Sequence, residues 1–115
     1  MHIIEAAGRW FAPDASGASY DEHLSVPDLS VGTYCLRAGA DDPQTPHDED
    51  EVYVVTAGRA QFTGGDQTVE VSAGSVFFVP AREVHRFHDV TEDLTVLVFF
   101  APAEGARATE DVIQP

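Results

Sequence analysis

Between residues 31 and 100, no stretch repeats apolar side chains at i, i+3, i+4 for the ten to twelve residues that an amphipathic helix needs. β-Branched and aromatic residues gather instead into short runs at 31–38, 51–56, 60–63, 68–71, 76–79, 84–88 and 94–100. Turn chemistry closes these runs, most clearly at Ala57-Gly58, at Pro80 and at the hairpin signal Gly64-Gly65-Asp66. A chain punctuated in this way folds as an all-β sandwich or barrel. Upstream, residues 20–26 read as a strand that stops at Pro27, 13–17 as a loop, and Ile3-Ile4 as a candidate first strand.

The 115 residues support one modest core, with no internal repeat or low-complexity tract. The barrel is expected over residues 1–102. Residues 103–115 turn to Ala, Glu, Gly and Thr and are expected to form a C-terminal tail, with a short helix over 106–112 as one option. Twenty acidic residues face six arginines and no lysine, a formal net charge of −14. A surface of that sign repels polyphosphates and anionic lipid, so neither nucleic acid nor a membrane is an expected partner. Cys35 is the only cysteine and lies in the apolar run Tyr34-Cys35-Leu36, which suits a buried structural thiol and leaves no intrachain disulfide. The first ten residues lack the pattern of a signal peptide, and the apolar stretch 96–102 is far too short to span a bilayer. A cytoplasmic protein is the expectation.

Chemistry concentrates at 39–58 and 74–89. Alternation along a strand puts Glu51, Tyr53 and Val55 on one face and His85, Phe87 and Asp89 on one face, with His88 opposite. If His47 leads into the Glu51 strand on the same side, His47, Glu51 and His85 can meet inside one end of a barrel. A buried carboxylate needs compensation, and two imidazoles beside it form a natural site for a first-row metal.

The spacing of these residues resembles the cupin family. The motif G(X)5HXH(X)3–4E(X)6G is matched by Gly39, Thr45, His47, Glu51 and Gly58, with Thr45 in place of the first histidine. The motif G(X)5PXG(X)2H(X)3N is matched by Gly74, Pro80, Arg82, His85 and Asp89, with Arg82 replacing the second glycine and Asp89 the asparagine. The resemblance implies a jelly-roll β-barrel, often a homodimer. It also implies a divalent metal (Fe, Ni, Mn, Co or Zn) held by His47, Glu51 and His85. That 2-His-1-carboxylate set suits Fe(II) and leaves positions open. A metal-dependent enzyme acting on a compact organic molecule follows, with oxygenase first and isomerase next. The alternatives are a non-catalytic small-molecule binding or sensor barrel, with or without metal, and a purely structural role.

Other residues carry a functional and an ordinary reading side by side. Thr45 could lend a hydroxyl or a bound water, and Glu49 could replace the missing histidine or belong to the solvated acidic run 48–51. His88 could reach the site through a bulge or stay outside, and His23 could approach the cavity mouth or lie exposed. Arg82 could hold a substrate carboxylate or pair with Glu83 or another acid. Phe62 and Phe87 are candidate substrate contacts or plain core. Tyr53 is the candidate catalytic residue, because it follows Glu51 on the same face and its hydroxyl needs a partner when buried. Gly58 and Gly74 are expected at turns with positive φ.

Overall fold

The computed structural model describes residues 1–107. Six strands follow in order: β1 (Ala18–Val26), β2 (Leu29–Leu36), β3 (Asp50–Gly64), β4 (Gln67–Ser72), β5 (Val76–Val79) and β6 (His85–Ala101). They form an antiparallel sheet ordered β1-β2-β6-β3-β4, with β5 also paired to β3. Among the described residues this ladder does not close on itself. The all-β jelly-roll architecture expected from the sequence is the observed one.

Two strands do most of the building. β3 joins the runs 51–56 and 60–63, and β6 joins 84–88 and 94–100, where the sequence suggested four separate strands. Between Val55 and Gln61 the β3–β6 register slips three times, and the chain bends there without leaving the sheet. Gly58, expected at a turn, sits within this bulged stretch at φ +94°. A Cβ on Gly58 would stand 2.3 Å from the carbonyl oxygen of Asp93, so no other residue fits. The sharpness of the bend is measurable. Nine residues of straight strand span roughly 30 Å, yet the rings of Tyr53 and Phe62 lie 5.6 Å apart, centroid to centroid. The first half of β3 therefore pairs with β5 and the end of β6, while its second half pairs with β4 and the start of β6. The two halves fold face to face over the core.

That core follows the alternation. Tyr53, Val55, Phe62, Phe87, Leu94, Val96, Val98 and Phe100 point inward and are nearly inaccessible. Tyr53, Phe62, Phe77 and Phe87 form an aromatic cluster with tilted and edge-on contacts. The strand considered at Ile3-Ile4 does not form. That segment holds Ala6 and Gly8 at positive φ, which breaks an extended run, and crosses the outer face of the sheet. There the Gly8 amide donates to the Thr33 hydroxyl, and the Thr56 hydroxyl donates to the Gly8 carbonyl. Cys35 is fully buried on the sheet, and burial raises its thiol pKa, which suits a structural thiol.

At the other end of the chain, Ala103 and Glu104 lie beyond the boundary expected at residue 102. They nonetheless pack on the β1–β2 turn, where the Ala103 amide donates to the Pro27 carbonyl and the Glu104 amide to the Ser30 hydroxyl. The helix considered over 106–112 lies mostly outside the described residues. No helix among the described residues is long and apolar enough to cross a membrane.

Candidate metal centre and adjoining cavity

Glu51 opens the inward face of β3, and His85 opens β6. Both side chains are only 1% exposed, and Glu51 Oε1 lies 3.4 Å from His85 Nε2. His47 reaches in from the irregular lead-in to β3, where its ring packs on Phe100 at 4.9 Å and approaches the His85 ring at 6.0 Å. One ligand atom from each of His47, Glu51 and His85 lies within 4.8 Å of the others.

The hydrogen bonds assign the His85 tautomer. Nδ1 lies 2.7 Å from the Glu83 carbonyl oxygen and must donate to it. The lone pair of Nε2 is then turned inward. Around Nε2 stand the Tyr53 hydroxyl at 3.0 Å, Gln44 Oε1 at 3.0 Å and the Glu51 carboxylate. The Gln44 amide is oriented by Asp42, whose carboxylate accepts from its NH2 group and so turns the Gln44 carbonyl toward His85. Asp42 also accepts from the Tyr34 hydroxyl and from the Phe87 amide, which fixes it between strands. Three acceptors thus converge on a single donor, the Tyr53 hydroxyl, whose one hydrogen can serve Gln44 or His85 but not both. Glu51 Oε2 is buried without any partner.

Electrostatics follow the same crowding. Burial, opposed by the Tyr53 hydroxyl and reinforced by Glu104, Glu49 and Asp42, raises Glu51 to about 7. Burial also lowers both His47 and His85, which keeps their rings neutral and their lone pairs available. The donor set accordingly fits a divalent cation: an excess of inward acceptors, an unpartnered carboxylate oxygen and two neutral imidazoles. Of the three residues, His47 alone lies outside any strand.

Other sequence-stretch candidates fall elsewhere. Thr45 is exposed, and the neighbouring Gln44 takes the inward place. Glu49 is 2% exposed and belongs to no solvated face; its Oε2 lacks a partner, and it is not one of the converging trio. His88 lies on the outer side, between the Thr63 hydroxyl at 2.7 Å and the Asp89 carboxylate at 2.7 Å. His23 contacts the Thr33 hydroxyl at 2.6 Å, away from the centre. Arg82, at φ +68°, is exposed and pairs with Asp48 at 3.3 Å. Phe62 and Phe87 are core residues of the aromatic cluster.

A cavity of about 180 Å³ adjoins the centre, lined in part by Tyr20, Tyr34, Gln44, His47, Phe100 and Glu104. Glu104 Oε2 stands 3.5 Å from His47 Nδ1. Tyr20 fits only because residue 32 is glycine, since a Cβ there would lie 2.2 Å from the Tyr20 hydroxyl. Gln44, Tyr20, Tyr34 and Glu104 were not singled out from the sequence. The loop before β3 has no strand parity to show that Gln44 and not Thr45 faces inward, although alternation from Leu36 could have flagged Tyr34.

The bent jelly roll and its inward His-Glu-His group define a class, and comparison with known proteins agrees. The family model for the cupin domain matches residues 32–100, more than half of the chain, and the chain belongs to that family. It is 49% identical over 91 residues to a Streptomyces coelicolor protein called "Uncharacterized protein SCO3923", covering 79% of this chain and 87% of that one. Among solved structures, an RmlC-like cupin from Desulfovibrio desulfuricans superposes with a TM-score of 0.75 at 22% identity, covering 89% of this chain and 97% of that one. KdgF from Halomonas sp. superposes with a TM-score of 0.70 at 21% identity, covering 78% and 83%. At those identities the structural likeness speaks for the fold.

Proposed function

We propose that this cupin binds one divalent first-row metal ion through His47, Glu51 and His85 and acts on a compact organic molecule held in the adjoining cavity, with oxygenase chemistry first and isomerase chemistry next. The observation that carries the reading is the surplus of acceptors around His85 Nε2, together with the unpartnered Glu51 oxygen. A cation satisfies all of them at once. When bound, such an ion supplies Lewis acidity or, as Fe(II), oxygen activation.

The chain's own residues do the rest. Glu83, through its carbonyl, fixes the His85 ring. Asp42 holds Gln44, and Gln44 with His85 orients the Tyr53 hydroxyl, the group best placed to give or take a proton. Tyr53 is kept protonated by burial, which raises its pKa well above the ordinary value. It would therefore serve as a hydrogen-bond donor. Phe100 and the aromatic cluster keep bulk water from one side of the centre.

A second reading has its own support. Glu51 at about 7 is partly protonated near neutrality, and that proton can bridge to His85 Nε2 with no ion present. The barrel would then be a metal-free small-molecule binder. Titration of chelator-stripped protein with Fe(II), Mn(II), Ni(II), Co(II) and Zn(II) separates the two. The metal reading expects about one ion per chain and a sharp loss of affinity in His85→Ala. Occupancy far below one for every ion, or full occupancy in His85→Ala, refutes the assignment. Oxygen consumption by the Fe(II) form over a panel of phenols, thiols and small acids tests the oxygenase step.

A further inference from the structure

No arginine or lysine lines the cavity beside the centre, and its one imidazole, His47, belongs to the candidate metal set. The chain contains six cationic residues, all arginines, and all six lie among the described residues. None of them lines the cavity. Arg59 pairs with Glu70 and Glu92, Arg82 with Asp48, and Arg37 lies over the Trp10 ring at 5.9 Å. The Arg107 guanidinium donates to the Asp48 carbonyl, and Arg9 and Arg86 are exposed at the surface.

What does face the cavity is acidic or accepting. Glu104 forms one wall and stands beside His47, with Glu51, Glu49 and Asp42 close enough to act on the same imidazole and carboxylates. The donors nearby are mostly spent. The Tyr34 hydroxyl donates to Asp42, and the Tyr53 hydroxyl is shared between Gln44 and His85. Of the tyrosine hydroxyls that line the cavity, that of Tyr20 is buried without a hydrogen-bond partner. The remaining walls, from Phe100, Val98 and Pro43, are apolar.

Size sets the other limit. A cavity of roughly 150 Å³ accommodates benzene, so the 180 Å³ here holds one small ring or its equivalent with a short substituent.

We infer that the cavity selects a compact, single-ring-sized molecule with an apolar body and a hydrogen-bond-donating head, an amine or a hydroxyl, and rejects carboxylates and phosphates of the same shape. This inference rests on the small-molecule reading above and names its substrate class. The donating head lies against Glu104 and the Tyr20 hydroxyl, and the apolar body lies against Phe100 and Val98. An anionic head there meets Glu104 with no guanidinium or ammonium to offset the repulsion.

Benzylamine, benzyl alcohol and benzoate share a ring and differ in the charge of one short substituent. Titrating each into chelator-stripped protein, followed by the NMR signals of Tyr20, His47 and Phe100, tests the inference. The expected order places benzylamine tightest, benzyl alcohol next and benzoate at least tenfold weaker than benzylamine. Glu104→Gln brings benzylamine to the level of benzyl alcohol while leaving benzyl alcohol nearly unchanged. Benzoate binding as tightly as benzylamine to the wild-type protein overturns the inference, and so does the absence of any response to all three. Because the titration is run without metal, its failure leaves the metal reading standing. Conversely, failed metal titrations leave the charge preference standing.

Discussion

Replacing Glu51 by glutamine removes a charge from the interior without changing its shape, and its effect on stability follows from one titration. The Glu51 carboxyl has a folded pKa of about 7 against an ordinary value of 4.5, with burial as the main cause. The folded chain thus holds the proton more tightly than the unfolded chain. Wild-type stability from this group is complete below pH 4.5 and is lost as the pH rises through 7. A difference of 2.5 pH units at 1.36 kcal/mol each corresponds to about 3 kcal/mol. Glutamine has no proton to lose and can donate its amide to His85 Nε2. In the presence of a chelator, Glu51→Gln should match the wild type near pH 4 and exceed it by about 3 kcal/mol at pH 8. For a domain of this size the difference corresponds to roughly 12–20 °C in Tm. Urea denaturation at half-unit pH steps reads it directly. A wild type that is the more stable protein at pH 8 without metal, or a difference that does not vary with pH, refutes the account of a strained carboxylate. The same substitution should abolish metal binding, so the group that weakens the empty fold is the one the ion requires.

Three further outcomes follow from the geometry. Gln44→Ala removes an acceptor oxygen 3.0 Å from His85 Nε2 and should weaken metal affinity, whereas Thr45→Ala should leave calorimetric titrations unchanged. Gly58→Ala combines a φ of +94° with a contact of 2.3 Å to backbone, and chemical denaturation should show a loss of more than about 2 kcal/mol. Phe87→Ala empties the centre of the aromatic cluster and should cost about 3–5 kcal/mol, readable in the same assay, with little change in metal affinity if the chain still folds.

The sequence disclosed most where alternation and turn chemistry act locally. The Gly65-Asp66 hairpin, β4 and β5 fall where their residues put them, and the inward run Glu51, Tyr53, Val55 follows from period two alone. It disclosed less where tertiary pairing overrides a local stop. Gly58 reads as a turn, but the partner strand continues past it, so the chain bulges and keeps its ladder. His47, Glu51 and His85 were recognisable as a converging set because two of them sit on strands with fixed faces. Gln44, Tyr20 and Glu104 were not, because a loop, an outer strand and a post-strand segment reach the cavity only through long-range folding. Arg82 takes the ordinary one of its two readings and pairs with an acid, Asp48.

The bend in the β3–β6 ribbon has a further consequence. Glu51 pairs across the ribbon with Phe100, and His85 pairs with Gly64, thirteen positions farther along β3. Laid flat, those sites would be about 40 Å apart; folded, their side chains nearly touch. An ion gripped by both would act as a clasp, joining the two flaps of one hinged ribbon. Each tenfold gain in free ion above its dissociation constant would then tighten the closed form by about 1.4 kcal/mol. Opening of the flaps, followed by amide exchange across residues 55–61, would slow in step with the ion supplied.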